Sequence, residues 1–336
     1  VGFVQADPIR APAPAQDLIL RHRVNNYRAG DLESRYATLD AEEDVFVNYG
    51  FVSRALHVLM HPRLDSRTHD TATLWGAGKM KTARLLFDFI SERGHVNPRE
   101  VNEHFAHGRV RNNWGGSSNA TTRLLEAMHY GGLLRIVRRE KGIRIYALQK
   151  QYAVPQTTAE RRARIDALVD LAVRIYAPLP EPSLSYYLRR LRYAVPQWKN
   201  ELTSTLQRAR QRLARARVGN VDWYWPVDEN VLDHAVEETV RFVAPFDPLV
   251  HDRARLELLW NWVYRFEAYT PASKRKFGYY AMPLLWRDRV VGWANLSVKQ
   301  GVLKHEMGYI VSSPRDRIFK RELESELDRM RSFLRL

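Results

Sequence analysis

Apolar residues recur at helical spacing along three stretches between residues 78 and 130. In GKMKTARLLFDFISERG, Ala83, Leu86, Phe87 and Ile90 mark one face of a helix that Gly94 ends. HVNPREVNEHF follows, with Asn97 placed as N-cap and Pro98 at the first helical position. Ser118 or Asn119 then caps a third helix, ATTRLLEAMHYG, which stops at Gly131 and Gly132. Beyond it the pattern turns β-rich, with LLRIVRR and IRIYAL flanking the turn EKG. Three helices and a basic hairpin, in that order, make a winged helix, a module that lays one helix in a DNA groove and uses the hairpin as a wing. Arg138, Arg139, Lys141 and Arg144 stand on that wing. An ordinary solvated hairpin would show the same pattern.

The order returns more weakly over residues 157–226. ERRARIDALVDLAVRIYAP, EPSLSYYLRRLRYAVPQ and WKNELTSTLQRARQRLARARVG predict helices, and the last carries Arg208, Arg210, Arg212, Arg215 and Arg217. VDWYWPVD predicts a short aromatic strand or wing. From 227 to 336 the elements mix. HDRARLELLWNWVYRFEAY predicts a helix, YYAMPLLWRDRVVGWANLSVKQGVLKHEMGYIV three strands with one turn at RDR, and DRIFKRELESELDRMRSFL a charged closing helix. At the other end, residues 1–75 predict a strand, an Ala/Pro-rich turn (RAPAPA) and then helices.

Composition changes this picture in two ways. The chain has 336 residues, enough for two to four compact units, and 45% of them are hydrophobic, enough for real cores. It carries no cysteine, which removes disulfides, Cys-ligated zinc, iron–sulfur clusters and a thiol nucleophile, and fits an intracellular setting. No apolar run approaches the ~18 residues that would cross a membrane. The formal charge is +15, and of the 53 basic residues only ten are lysine. Genomic codon bias accounts for arginine over lysine. It accounts less well for fifteen uncompensated charges, which repel one another unless a polyanion is the partner. Guanidinium groups bind phosphate through two parallel hydrogen bonds, so nucleic acid is the expected partner.

Several motifs fail on inspection. WGAGKMKT has Thr73 and Met80 where a phosphate-binding loop needs Gly and Ser or Thr. His57 and His61 are four apart on a helix, as zinc ligands would be, but no glutamate follows His57 and no third ligand is evident; core or surface histidines are the expectation. Asn119 to Thr121 is a glycosylation triplet in a chain with no sign of secretion. No Gly-rich dinucleotide fingerprint and no nucleophile elbow is present. Neither a metal nor an organic cofactor is expected.

The block APFDPLVHDRARLELLWNWVYRFEAYTPASKRKFGYYAMPLLWRDRVVGWANL resembles the C-terminal signature of the AlkZ/YcaQ family of bacterial winged-helix DNA glycosylases. The matching core is PFDP, then DR, then YR-E-YTPA-KR, then GYY, PLL and VG. WGG, TTRLLEAMHYGGLL and YAL resemble the family's central winged helix more loosely. The resemblance implies an α+β, helix-rich fold: tandem winged helices around a DNA-binding channel, with a C-terminal antiparallel β region. It divides the chain into an N-terminal winged-helix unit over 1–75, a central one over 78–150, a third winged-helix-like unit over 157–226, and a C-terminal helix and sheet over 227–336. It implies a monofunctional glycosylase of DNA repair, acting on double-stranded DNA that carries N7-alkylated or crosslinked purines. Such a protein is expected to be monomeric, cytoplasmic and nucleoid-associated, with no membrane contact. A winged-helix DNA-binding protein or regulator without catalysis is the alternative. The family's catalytic Gln-x-Gln or Gln-x-Asp falls on Gln5-Ala6-Asp7. DNA contacts are expected from Lys274 and Arg275 in SKRKFGYY, from the wing residues, and from Arg123. Three departures stand out. The family usually carries residues ahead of this strand. Its His-Glu pair falls at Tyr49-Gly50, and its usual charges after VG fall at Trp293, Asn295 and Ser297.

Residues two apart on a strand share a face, so Gln5 and Asp7 are expected on one side, with Val4 and Ala6 on the other. Pro8 biases Asp7 toward extended geometry. Ordinary glycoside cleavage uses two carboxylates. One suffices when the leaving base is already cationic, as an N7-alkylated guanine is. Asp7, at an ordinary carboxylate pKa of about 3.9, would be ionised, steady the sugar cation and take a proton from water. Gln5, with one donor group and one acceptor, would fix that water. Two polar residues on a wet strand face are the plain alternative.

Overall fold

The structure is a computed structural model that describes residues 2–63, 71–105, 108–111, 117–140, 142–229 and 235–336, with residues 71–80, 109–111 and 117–118 described at the backbone alone. Lys141 lies outside the described residues. Mixed helices and antiparallel sheets build two compact units. The first holds residues 1–3, 33–171 and 188–209; the second holds 4–32, 172–187 and 210–336.

In the first unit the helical stretches fall where the apolar spacing places them, at Thr71–Arg93, Pro98–Phe105 and Ala120–Tyr130. Ala83, Leu86 and Ile90 are buried, whereas Phe87 is 36% exposed and Phe89 takes the core position. Asn119 is the N-cap of the third helix, its Oδ1 accepting the Thr121 N–H at 2.9 Å. The hairpin pairs Leu134–Glu140 with Ile143–Leu148, and the two-residue strand His95–Val96 adds to its second strand. Ahead of this lies the antiparallel pair Ala41–Val45 and Tyr49–Ser53, followed by the helix Arg54–Met60.

Two expectations over 157–269 need correction. ARARVG does not continue a helix: the helix ends at Arg212, and Ala214–Val218 is a strand paired with Val221–Trp225. Arg215 and Arg217 alternate on that strand. Hydrogen bonding to a β-rich neighbour has overridden an arginine-rich run that reads as helix. The resulting sheet order, Ala214–Val218 beside Val221–Trp225 beside Leu179–Pro180, matches that of the 78–150 region, where the short strand also joins the second hairpin strand. The helix expected through HDRARLELLWNWVYRFEAY is also shorter, Arg253–Trp260. Asn261 then enters the left-handed region at φ 50° and ends it. Trp262 and Tyr264 are buried while Val263 and Arg265 are exposed, an extended alternation that seats both rings in the core with Val243 and Leu256.

The second unit is organised by a four-stranded antiparallel sheet in the order Val240–Phe242, Met282–Trp286, Arg289–Lys299, Val302–Tyr309. Its three long strands and the turn at Arg287 and Asp288 are those expected. The closing helix Arg317–Leu334 starts at an Asp316 cap and lays Phe319, Leu327, Met330 and Phe333 inward, with Phe319 edge-on to Trp286 at 5.6 Å. Buried Glu326 on this helix receives the Phe242 N–H at 2.9 Å and pairs with Arg21. Arg23 pairs with buried Asp247 at 2.6 Å. These pairs fix the N-terminal helix Ala15–Leu20 and the chain after it within the sheet unit.

Candidate functional site around Asp7 and the 269–280 loop

The strand Phe3–Gln5 stops at Gln5, so Asp7 lies just beyond it rather than on it. Phe3 and Val4 are both buried, while Gln5, Ala6 and Asp7 are half-buried. Simple alternation across the strand therefore does not hold. What orients Asp7 is a local turn: its Oδ1 accepts the Ile9 N–H at 2.9 Å. Its Oδ2 has no hydrogen-bond partner among the described residues. Partial burial raises the pKa of this carboxyl, and the Ile9 hydrogen bond only partly offsets that. The ordinary value expected from sequence is thus corrected upward.

The chain after Asp7 forms one wall of a cleft of about 510 Å³. Arg10, Ala11 and Pro12 face Tyr279 and Tyr280, the Asn295–Lys299 segment and the Lys304–Glu306 segment. Arg10, Lys299, Lys304 and Glu306 are exposed, so three cations and one carboxylate border it.

The loop carrying Tyr269 to Tyr280 has little regular structure, yet it is held at several points. The buried Glu267 carboxylate receives the Lys276 N–H at 2.8 Å and the Phe277 N–H at 2.7 Å. Burial alone would raise its pKa; the backbone donors of residues 276–278 more than offset this and hold it below the usual range. Asn295 donates through Nδ2 to the Phe277 carbonyl at 2.6 Å and accepts the Tyr280 N–H at 3.2 Å. Gly278, at φ 113°, makes the turn between these bonds. The Arg275 Nε donates to the Thr270 carbonyl at 2.8 Å, and its guanidinium lies 5.1 Å from the Tyr279 ring centre. Tyr280 is buried against Phe266 and Phe246. Its hydroxyl has no hydrogen-bond partner among the described residues, and burial pushes its pKa well up, with the Asp7 charge adding to the shift. The Asp7 charge also raises the pKa of Tyr269, second to that ring's partial desolvation. Asp7, Tyr269 and Tyr280 are therefore electrostatic neighbours.

Of the residues expected to contact DNA, Lys274 is exposed and Arg275 is half-buried on this loop. The others belong to the first unit. Arg138 is half-buried at the hairpin and pairs with exposed Glu140 at 2.7 Å. Arg139 forms a two-pronged pair with buried Glu43, both contacts at 2.7 Å. Arg144 lies 3.7 Å from the same carboxylate and 4.6 Å from the Tyr49 ring centre. Arg123 is half-buried on the helix Ala120–Tyr130. Tyr49 donates its hydroxyl to Glu43 at 2.6 Å.

Sequence reasoning missed a third acidic partner for His57 and His61. Asp44, His57 and His61 are all buried, with His61 Nε2 at 2.8 Å and His57 Nε2 at 3.2 Å from Asp44 Oδ2. Arg63 Nη1 lies 2.8 Å from Asp44 Oδ1 and fills the role of the cation. Burial would raise the Asp44 pKa, but Arg63 and the two imidazole donors hold it well below the usual range. The signal is a polar strand, AEEDV, whose middle three acids are all inside.

Comparison with known proteins bears on this arrangement. The model of the AlkZ-like family, described as DNA glycosylase AlkZ-like, matches residues 1–333. The chain belongs to the AlkZ-like DNA glycosylase family. Among solved structures, the DNA glycosylase AlkZ of Streptomyces sahachiroi is similar in fold, with a TM-score of 0.62 over 98% of this chain and 88% of that one, at 12% sequence identity. The AlkZ-like match runs through both the Gln5-Ala6-Asp7 stretch and the 269–280 loop. No helix among the described residues is long and apolar enough to cross a membrane.

Proposed function

We propose that this protein is a monofunctional DNA glycosylase of DNA repair that hydrolyses the N-glycosidic bond of N7-alkylated or crosslinked purines, with Asp7 and Gln5 as the catalytic pair. The observation that carries the reading is Asp7 itself. It is a half-buried carboxylate with one oxygen held by a backbone N–H, beside a cleft bordered by Arg10, Lys299 and Lys304. In the reaction, water oxygen bonds to the sugar C1′ while the C1′–N9 bond breaks. The bonding pair passes to N9 and neutralises the cationic ring, and the water proton goes to Asp7. No acid is needed on the leaving group. A base with a raised pKa takes that proton more readily at neutral pH. The Gln5 amide fixes the water, and the carboxylate charge stabilises the sugar cation as it develops.

The fold order supports a DNA-binding frame. Residues 78–150 and 157–226 each run helix, short strand, helix, helix, hairpin, with the short strand beside the second hairpin strand; the first region adds an antiparallel pair, Arg109–Arg111 with Ser117–Asn119, between its second and third helices. We read these as winged helices, with an N-terminal unit over 1–75, the C-terminal region over 227–336 and a DNA-binding channel among them. Lys274, Arg275, Arg123 and the wing residues Arg138, Arg139, Lys141 and Arg144 complete the proposed DNA contacts. The protein would act as a cytoplasmic, nucleoid-associated monomer.

The test is single-turnover release of 7-methylguanine from alkylated duplex DNA by the wild type and by Asp7→Asn. The expected loss is about 10²–10⁴-fold, the usual worth of a positioned general base. Equal, background-level release by both would leave the alternative of a winged-helix DNA-binding protein without catalysis.

A further inference from the structure

Tyr269 is 72% exposed and Tyr279 44% exposed, so neither ring is held in place chiefly by burial. Both are nevertheless placed by the fold. Tyr269 stands edge-on to Phe266 at 6.2 Å, and Phe266 is edge-on to buried Tyr280 at 5.5 Å. Tyr279 sits between the Gly278 turn and Tyr280, where Glu267 and Asn295 pin the backbone. Large exposed aromatic side chains on a braced loop lose little freedom on binding, which favours their use as contacts. Their surroundings select the partner. The Arg275 Nε bonds the Thr270 carbonyl, next to Tyr269, and its guanidinium lies over the Tyr279 ring, so one side chain ties the two exposed rings together; the Asp7 carboxylate acts on Tyr269 as well. Arg275 lies over Tyr279, exposed Lys274 and Lys276 are on the same loop, and Arg10 lines the adjoining cleft beside Tyr279. Flat rings flanked by cations match a strand of nucleic acid, whose bases offer π-faces and whose phosphates flank them.

We propose that Tyr269 and Tyr279 form a stacking platform for one nucleobase taken out of the duplex stack beside Asp7, with Arg275 and Arg10 meeting its flanking phosphates. This deepens the glycosylase reading and rests on it. An intact duplex hides its base faces, and a base held outside the stack presents the sugar–base bond to the carboxylate that precedes the Arg10–Pro12 wall of the cleft. The platform asks for a ring and not for a hydroxyl group, since stacking is indifferent to base identity and to the phenol oxygen.

The test measures binding by the Asp7→Asn protein, chosen to slow turnover, to two 25-base-pair DNA probes: a fully paired duplex and the same duplex with one bulged adenine. Preference for the bulged probe is expected at about tenfold, the scale of one base–aromatic stack. Adding Tyr269→Ala and Tyr279→Ala together should abolish the preference and leave paired-duplex affinity within about twofold. Tyr269→Phe with Tyr279→Phe should keep it. No preference in the parent, or a preference that survives the alanine pair, overturns the proposal. The two readings fail separately. Release of 7-methylguanine at the wild-type rate by the Tyr269→Ala, Tyr279→Ala double variant with Asp7 intact would sink the platform and keep the glycosylase. A bulge preference that follows the tyrosines in a protein releasing no base would do the reverse.

Discussion

A Cβ on residue 278 would overlap the Asn295 side chain, the group that bonds the backbone on both sides of that residue. Gly278 has φ 113°, a region strained for any residue with a Cβ. Gly278→Ala should therefore act twice, by backbone strain and by displacing Asn295. We expect a loss of about 1–3 kcal/mol, the usual cost of a strained non-glycine position, measured by urea unfolding. Asn295→Leu keeps the glycine and removes both hydrogen bonds, leaving the Phe277 carbonyl and the Tyr280 N–H without those partners at a cost of about 1–3 kcal/mol. Both variants should release 7-methylguanine more slowly because the loop bearing Tyr269 and Tyr279 loosens. Wild-type stability in Gly278→Ala would show that the loop yields at no cost.

Asp7 makes an opposite prediction for stability and activity. Its folded-state pKa is raised by burial, so the folded protein binds the proton more readily than the unfolded chain. As pH rises through the ordinary carboxylate value and then the folded value, ionisation in the folded state costs stability. At neutral pH Asp7→Asn removes that cost and should raise the melting temperature slightly. The same substitution should slow release by about 10²–10⁴-fold. The wild-type pH–rate profile should lose activity on the acid side at a pH above the ordinary carboxylate value of about 3.9. A midpoint at or below that value would contradict the burial.

The hairpin arginines divide by partner. Arg139 grips Glu43, which is buried, and Tyr49 and Arg144 add to the same carboxylate. Burial would raise the Glu43 pKa, and these donors and charges more than offset that. Arg139→Ala leaves a buried carboxylate without its two-pronged partner and should cost about 3–5 kcal/mol. Arg138 pairs with Glu140 at the exposed end and should cost less than about 0.5 kcal/mol when replaced by alanine. If the hairpin is a wing, Arg138→Ala should instead reduce the salt dependence of duplex binding by about one unit of slope. Equal stability losses in the two variants would argue against this division.

Sequence carried the elements well and the buried polar chemistry poorly. The helices over 78–130, the hairpin, the three long strands and the last helix follow from spacing and caps, because those elements have a wet face and a dry face. The strand AEEDV has no such contrast: Glu42, Glu43 and Asp44 are all buried, each able to be so only because arginines or histidines from elsewhere reach it. Partners 12 to 96 residues away cannot be read from local pattern. The 262–281 loop was missed for a related reason. Trp262 and Tyr264 fall inside a run that reads as helix, yet the core takes them from an extended chain that leads into a loop held by Glu267 and Asn295. The Gln-x-Asp element was legible as a motif but not in its geometry, since the strand ends at Gln5 and a turn onto Ile9 sets the carboxylate.

Two buried histidines give the chain a predictable acid limit. His61, packed against Asp44 and Arg63, and His22, bonded to the Phe242 carbonyl at 2.9 Å, both have pKa values lowered to about 3, chiefly by burial. Each belongs to a different compact unit, so each unit carries its own sensor. Both rings stay neutral in the folded state at pH 5, whereas in the unfolded chain they protonate near the ordinary value of about 6.5. The unfolded chain therefore binds more protons below that value, and stability falls with falling pH. The loss is about 2 kcal/mol per histidine at pH 5 relative to pH 7.5. Asp44, whose folded pKa is lowered, adds a further loss in the same direction below about pH 4, where it protonates in the unfolded chain. Urea unfolding across pH 5 to 7.5 should show this slope. His22→Gln and His61→Gln should each remove about 2 kcal/mol of this loss, buried His129, also shifted down, carrying part of the remainder, while lowering stability at neutral pH. An unchanged slope in both variants would place the acid sensitivity elsewhere.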